Sequence, residues 1–376
     1  EGPSPLQTFT HRLQAHNPDY FTANSPIFSY SSIACKTAKA LLHPTDTATA
    51  PAAAPAQSPP VFHVALDDLI SFFENPAKYY FTKILNARLD SDGETMLADT
   101  EPFASDTLQD WKVRKQLIDS FVANEDDTTR QRILAELTAN GIAPFGPAGQ
   151  KWFEKLTSEA ETLITQSPAE NLPPLKDILL AEKSFVPTEF RATIPVRNIQ
   201  VELSGFDRLY PDHGIVHFQP SSAHTHKHIK TWLTHLLVNA AHASALPLPS
   251  SYSVLRDKDK LNPRHFAPFN KPSDAKDTLA VYLDIFLFQS TPPPRYTPNS
   301  AWDFVDQFHG KNKPIDASLA EARKAWENPY GGSSFEGAAN SYYSKLYGPT
   351  GPFDPLNDFI SAAETIILPM WKHLNP

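Results

Sequence analysis

Apolar and polar residues alternate through Ile199-Gln200-Val201-Glu202-Leu203, the two-residue period of a strand with one buried face. Continuing the count to Asp207 puts a carboxylate on the face of Ile199, Val201 and Leu203. Across the turn-forming Tyr210-Pro211-Asp212-His213-Gly214, a second strand is predicted at Ile215-Val216-His217-Phe218-Gln219, with His217 and Gln219 on one face. Upstream the period changes. From Val64, residues Leu66, Leu69, Ile70 and Phe73 and, past Pro76, Tyr80, Phe81, Ile84 and Leu85 recur at helical spacing, with Asp67 and Asp68 suited to a first turn. Pro76 should end or kink that helix. Further helices are predicted at about 105–122, 127–139 and 149–166, strand character near 185–196, and a helix at about 225–243 with His228, Trp232, His235 and Leu236 near one face. A strand at 252–256 that turns at Asp257 to Lys260, and helices near 273–289, 317–327, 338–346 and 355–373, complete the pattern.

Strands bracketed by helices in this order predict an α/β core at 183–290, a mostly helical insertion at 64–182 before it and a helical tail at 291–376. Residues 1–60 read as an N-terminal arm with apolar anchors, Leu6-Gln7-Thr8-Phe9 and Pro26-Ile27-Phe28-Ser29-Tyr30, followed by a linker. From Thr45 to Pro60 that linker is Ala, Pro, Thr and Ser almost throughout. The folded domain proper is thus expected at 61–376.

Composition narrows the picture. A chain of 376 residues, 41% hydrophobic and 11% aromatic, has enough apolar matter for a sizeable core. It has no apolar run long enough for a membrane span, no signal-peptide pattern, and a start at Glu1 that suggests a fragment or processed form. The single cysteine, Cys35, excludes an internal disulfide and fits a reducing cytoplasm. Thirty-three basic against 42 acidic residues, a net charge of −9, is the reverse of what unaided phosphate binding requires. If the chain touches nucleic acid, partners supply much of the attraction.

Asp207 is the centre of the candidate chemistry, because an inward carboxylate needs a partner. Gly205-Phe206-Asp207-Arg208 followed by the strand at 215–219 resembles the two core strands of PD-(D/E)XK nucleases. In an active member, Mg²⁺ bridges that aspartate to an acidic residue on the next strand, and a lysine two residues on stabilises charge at the phosphate. Here those positions are His217 and Gln219. One aspartate beside an imidazole and an amide is a poor shell for a hard cation, and Gln219 carries no charge. The expectation is a degenerate site, with no catalytic residue, no bound metal and no cofactor. The plain alternative is an ordinary hairpin in which Asp207 pairs with a nearby cation or caps a turn.

Other constellations are weaker. His224-x-His226-x-His228 invites a metal reading, but only His224 and His228 would meet on a helix, so a solvated helix start is expected. Arg256, Lys258, Lys260, Arg264 and Lys271, interleaved with His265, Phe266 and Phe269, are candidate DNA-binding residues, since basic and aromatic side chains together track a phosphate backbone. Asp257 and Asp259 dilute that field and favour an exposed, salt-bridged hairpin. No G-x-S-x-G, P-loop or G-x-G-x-x-G is present.

Over nearly its whole length the chain is similar to the C-terminal third of the RecC family, the gamma subunits of exodeoxyribonuclease V. The resemblance is carried by Leu66-x-x-Leu69-x-x-Phe72 with Asn75-Pro76-x-x-Tyr79-Tyr80-Phe81, and by Glu101-Pro102-Phe103 with Leu108 and Trp111 to Leu117. Ala322-Arg323-x-Ala325-Trp326 through Tyr330, and Ile366-Ile367-Leu368-Pro369-Met370-Trp371, extend it to the C-terminus. It implies a non-catalytic, nuclease-like domain within the RecBCD helicase–nuclease, with RecB and RecD subunits, double-stranded DNA ends and unwound single strands as partners. Its implied work is subunit assembly and strand separation in double-strand break repair. The alternatives are an active Mg-dependent nuclease with ligands relocated to Glu202 or Asp212, and an interaction module unrelated to DNA.

Overall fold

The computed structural model describes residues 9–23, 25–42, 61–89, 107–210, 213–222, 225–242, 248–327, 337 and 340–375. The chain divides into two compact units, Glu1–Pro59 and Pro60–Pro376. The first carries a 3-10 turn at Pro18–Phe21 and helix α1 (Ser32–Leu42). Its one anchor of note is the buried Tyr20, whose hydroxyl accepts from the Arg12 N–H at 2.6 Å and donates to the Arg12 carbonyl at 3.1 Å.

The second unit begins with β1 (Val61–Ala65), α2 (Leu66–Glu74) and α3 (Pro76–Tyr79), then a helical block of α4 (Thr107–Val122), α5 (Asp127–Ala139), α6 (Pro147–Thr165) and α7 (Leu175–Ser184). Next come β2 (Thr188–Val196), β3 (Ile199–Asp207), β4 (Ile215–Ser222), α8 (Thr225–Ala241), β5 (Ser251–Asp257) and β6 (Lys260–Phe266). The tail comprises α9 (Pro272–Phe288), α10 (Pro298–Val305), α11 (Ile315–Glu327), α12 (Ser341–Tyr347), α13 (Leu356–Ala362) and α14 (Leu368–Leu374). The result is a mixed α/β architecture with two three-stranded sheets. In the first, ordered β1-β3-β2, β1 runs parallel and β2 antiparallel to β3. In the second, ordered β4-β5-β6, β4 runs parallel and β6 antiparallel to β5.

β3 and β4, expected as neighbouring core strands with a plain hairpin as the alternative, lie in different sheets, joined at their ends by the isolated bridge between Tyr210 and Gly214. Gly214 has φ +73°, and a Cβ there would stand 2.0 Å from the Ser250 carbonyl oxygen, so only glycine lets β4 start against that segment. Gly205 has a different reason: a Cβ on it would come within 2.7 Å of the Leu66 side chain. The glycine of Gly205-Phe206-Asp207-Arg208 is what seats α2 on β3.

Periodicity accounts for most of these elements. In β3, Val201 and Leu203 are fully buried, while Glu202 points the other way to Arg191 and His63. Helix α2 buries Leu66, Leu69, Ile70, Phe72 and Phe73 and stops at Glu74, where Asn75 turns the chain and caps α3 through the Lys78 N–H. Pro76 then opens α3 at a position whose missing N–H costs nothing. Two elements break the pattern. Val61–Ala65, where Val64 was expected to start a helix, is a strand in which only Val64 is buried, so it shows no alternation. The unexpected helix α10 hides behind Pro298, which sits in its first turn rather than breaking it.

Helix α8 lies at the centre, with buried residues on every side. It packs on α2, α9 and β2 of the first sheet's half and on β5 of the second. Trp232 donates to the Tyr282 hydroxyl at 2.8 Å, and that hydroxyl donates to the Ile366 carbonyl at 2.6 Å, tying α8, α9 and the tail together. The histidines of α8 are therefore not solvated: His226 and His228 are buried, and His228 Nδ1 meets Ser253 Oγ at 2.9 Å. His224 lies outside the described residues. His235 is fully buried with Nδ1 2.9 Å from Ser251 Oγ, in a stack with Trp232, Phe266, Phe269 and His373. Burial, helped by the nearby charge of His373, depresses His235 to about 3.

The depressed value has a direct consequence for acid stability. Between the ordinary histidine value of about 6.5 and about 3 the unfolded chain binds a proton that the folded chain refuses, so stability is complete above about pH 6.5 and falls as pH drops. His235→Gln should flatten that slope, by an amount on the order of a few kcal/mol between pH 7 and 4. Denaturant melts at the two pH values measure it, and equal slopes for the two proteins would remove His235 as the source.

Candidate functional site

Strand β3 delivers Asp207 to the joint between the two sheets, and β4 brings His217 to meet it. His217 Nε2 donates to Asp207 Oδ2 at 2.7 Å. Asp207 Oδ1 accepts from the Arg208 backbone N–H, also at 2.7 Å. The other ring nitrogen of His217 lies 3.0 Å from Thr231 Oγ1 on α8, giving an Asp–His–Thr chain that links β3, β4 and the central helix. Such a chain is the arrangement of a hydrolytic triad, but Thr231 is fully buried, so its hydroxyl meets no external substrate.

Electrostatics agree with an ionised, internally satisfied carboxylate. Burial pushes the Asp207 carboxyl up, but the His217 hydrogen bond and charge, the Arg208 N–H and the charge of Lys230 outweigh it and hold it below the ordinary carboxylate range. The cavity beside it, about 190 Å³, is lined by Asp67 of α2, Phe206, Asp207, Arg208 and Lys230 of α8 among others. Arg208 is spoken for: Nε donates to the Phe185 carbonyl and Nη1 to Glu182 at 3.1 Å. Glu74, at the end of α2, is pushed up to about 7 by burial, against the lowering charge of Lys230.

Gln219 does not join this cluster. It falls in the irregular stretch between Phe218 and Ser222 where the β4–β5 register shifts, and it is not among the residues lining the cavity. Both Asp207 oxygens already accept N–H groups, and β4 offers an imidazole where a second carboxylate would be needed, so the donors present do not suit Mg²⁺. Among the described residues no three His, Cys, Asp or Glu side chains gather as a metal site.

The basic segment is a β-hairpin of β5 and β6 whose tip is at Asp257 to Lys260, with Lys258 at φ +57°. The hairpin disperses the six DNA-binding candidates. Arg256 turns to the helical block, where Nη1 meets Glu159 at 3.1 Å beside the buried pair of Arg114 with the same carboxylate at 2.8 Å. Burial and the charge of Arg114 lower its guanidinium below the usual value. Arg264, opposite Ser253, lies on the α8 side of the hairpin, whereas Arg256 lies on the other. Lys258, Lys260 and Lys271 are exposed. Phe266 is corrected outright: it is fully buried in the stack with Trp232 and His235, so its ring is not offered to a base.

Strand counting put Asp207 on an inward face and His217 with Gln219 on one face of the next strand; the hydrogen bond between Asp207 and His217 follows only from the structure. Thr231 and Lys230 were not legible, since they approach from a helix with no short motif linking them to either strand.

A model of the RecC C-terminal domain matches residues 63–309, more than half of the chain. The chain belongs to the RecC C-terminal domain family. It is 24% identical over 180 residues to RecBCD enzyme subunit RecC of Escherichia coli (strain K12), a match covering 47% of this chain and 14% of that protein. It is 26% identical over 186 residues to the RecC subunit of Haemophilus influenzae, covering 49% and 15%. Against that of Buchnera aphidicola it is 29% identical over 103 residues, covering 27% and 9%. The aligned region is thus a small part of each of these RecC proteins. The family match runs from β1 through α10 and includes Asp207, His217 and the whole β5–β6 hairpin. Among the described residues no helix is long and apolar enough to cross a membrane.

The Asp207–His217 pair should carry stability. His217→Ala leaves a largely buried carboxylate with one N–H donor and should cost about 2–3 kcal/mol at pH 7. Because the folded Asp207 value is depressed, its contribution is complete above the unfolded value of about 3.9 and is lost as pH falls through the folded value. The gap between wild type and variant should therefore narrow below pH 4 in urea titrations. Equal stability at pH 7 would show that the pair is not a structural tie.

Proposed function

We propose that this chain is the non-catalytic C-terminal part of a RecC subunit, built on a degenerate PD-(D/E)XK core and serving subunit assembly and DNA strand separation in double-strand break repair. One observation carries the reading: the carboxylate that would hold the metal in a working site is closed by His217 Nε2 and the Arg208 N–H. A nuclease needs that aspartate free and a second acid beside it. The family match supplies the setting, since its relatives are named as subunits of the RecBCD enzyme. RecB and RecD subunits of the cytoplasmic complex are the partners this implies, with duplex ends and unwound strands as the nucleic acid.

Relocated ligands are poorly supported. The Glu202 carboxylate lies on the opposite face of β3, paired with Arg191 at 2.8 Å and His63 at 3.1 Å. Asp212 lies outside the described residues. For strand separation the β5–β6 tip is the candidate element. Lys258 and Lys260 project there from a hairpin that Arg256 braces against the helical block through Glu159. A rigid, modestly basic tip suits a wedge better than a high-affinity grip, and the net charge of −9 predicts weak, salt-sensitive DNA binding by the isolated chain.

Purified protein incubated with single- or double-stranded DNA and Mg²⁺ or Mn²⁺ should yield no cleavage above background. Metal-dependent cleavage that disappears in Asp207→Ala would overturn the non-catalytic reading. In the assembled complex, Lys258→Ala with Lys260→Ala should slow duplex unwinding several-fold while subunit co-purification stays unchanged. Unaltered unwinding would move the wedge elsewhere.

A further inference from the structure

A second cleft lies away from Asp207. It measures about 870 Å³ and is bounded by the β2–β3 turn, α9, the segment 291–295, the end of α12 and the α13 region. One wall is apolar, with Val281 and Ile285 of α9, Leu346 of α12 and a rim of Pro195 and Pro292 to Pro294. Val281 is 41% exposed although α9 otherwise contributes core residues.

Its walls are fixed without an occupant. The Tyr347 hydroxyl meets the Pro294 carbonyl at 2.8 Å and the Tyr296 carbonyl at 3.3 Å, clamping the chain on both sides of Arg295. On the opposite rim Arg197 makes a two-point contact with Asp284 and stacks 4.2 Å over the Phe288 ring. Gln289 adds a hydrogen bond to Asp284 Oδ2 at 3.1 Å, so that carboxylate is fully engaged. Preorganised walls spare an incoming segment the ordering cost.

Arg295 is different. Half-buried, with its guanidinium 5.7 Å from the Tyr347 ring centroid, it makes no ion pair with any described residue. A partly desolvated guanidinium over an aromatic face, with apolar surface beside it, is complementary to a carboxylate on an apolar scaffold. Asp358, exposed on the same cleft, supplies a separate acceptor. The two signs together disfavour a polyanion: a nucleic acid strand would meet the exposed Asp358 along with Arg295. A protein segment of mixed charge meets each with its opposite.

We propose that this cleft is a protein-docking site for an extended, apolar segment of a partner subunit, with one acidic side chain or a terminal carboxylate received by Arg295 and an N–H group or cation received by Asp358. This rests on the assembly role proposed above. Prolines offer no N–H donors, so recognition depends on side-chain complementarity rather than on strand addition.

The test is reconstitution of the complex from this chain and the co-expressed RecB- and RecD-type subunits of the same genome. Arg295→Glu should weaken retention of at least one subunit by on the order of 10- to 100-fold, and Val281→Asp should do so independently. Arg323→Glu, a cation stacked on Phe353 away from the cleft, serves as control, and thermal melts verify that each variant folds. Hydrogen exchange should show 291–296 and 358–366 protected in the complex but not in the chain alone. If wild type joins the subunits and Arg295→Glu joins them equally well, the cleft is not the dock. Protection of those segments by a DNA oligonucleotide instead of by subunits would also overturn the proposal. If wild type joins no subunit, the assembly role itself falls.

Discussion

A helix buried on every side must find a partner for each polar group it carries, and α8 is such a helix. His228 and His235 reach Ser253 and Ser251 on one face of β5, Thr231 reaches His217 on β4, and Trp232 reaches Tyr282 on α9. Asn239 closes the far end by donating to the Pro249 carbonyl at 3.1 Å and accepting from the Phe269 N–H at 3.3 Å. Each of these bonds is directional, so together they set the rotation and height of α8 between two sheets that share no ladder. Apolar packing alone would tolerate a slip; six polar contacts spread over β4, β5, α9 and the flanking loops do not.

The Asp207–His217 pair joins that set through Thr231, and a histidine at position 217 suits a well-packed joint. A second carboxylate at position 217 would face Asp207 with no cation to separate the two, and one of them would have to take up a proton or a metal. An imidazole solves the same geometry covalently within the chain, donating to Asp207 and passing its second nitrogen to Thr231. The pair thereby becomes part of the helix-anchoring network. Gly205 remains necessary for a reason unrelated to chemistry, the close approach of Leu66. Persistence of a motif glycine is therefore no sign that the chemistry persists.

Periodicity made the strand faces, the inward placement of Asp207 and the main helices readable, since these follow from which residues avoid water over short windows. The helices at 107–122, 127–139 and 147–165 sit where the apolar spacing puts them. The unread parts are those fixed by distant contacts. β1 is exposed except at Val64 and exists because β3 offers a parallel ladder. Phe266 sits in a locally basic, polar stretch whose composition suggested an exposed aromatic, yet the strand period places it opposite Ser251, facing α8. Arg256 likewise has a counter-ion 97 residues away in the chain. Local composition described the hairpin's chemistry; only register decided which side chains stay outside.

The same internal pairing governs how the chain meets charged partners. Arg114 and Arg256 share Glu159, Arg208 holds Glu182, Arg191 lies between Glu189 and Glu202, and Arg197 holds Asp284. Guanidinium groups, the side chains best shaped for phosphate, are thus largely committed to the fold, and the cations left outside at the hairpin tip are lysines beside Asp257 and Asp259. A surface of that kind would release few counterions on meeting a duplex, which fits the weak DNA binding proposed for the isolated chain. Arg295, half-buried over Tyr347, makes no ion pair with any described residue. On the docking proposal, the half-buried guanidinium of Arg295 at this cleft meets a counter-charge that arrives with another protein.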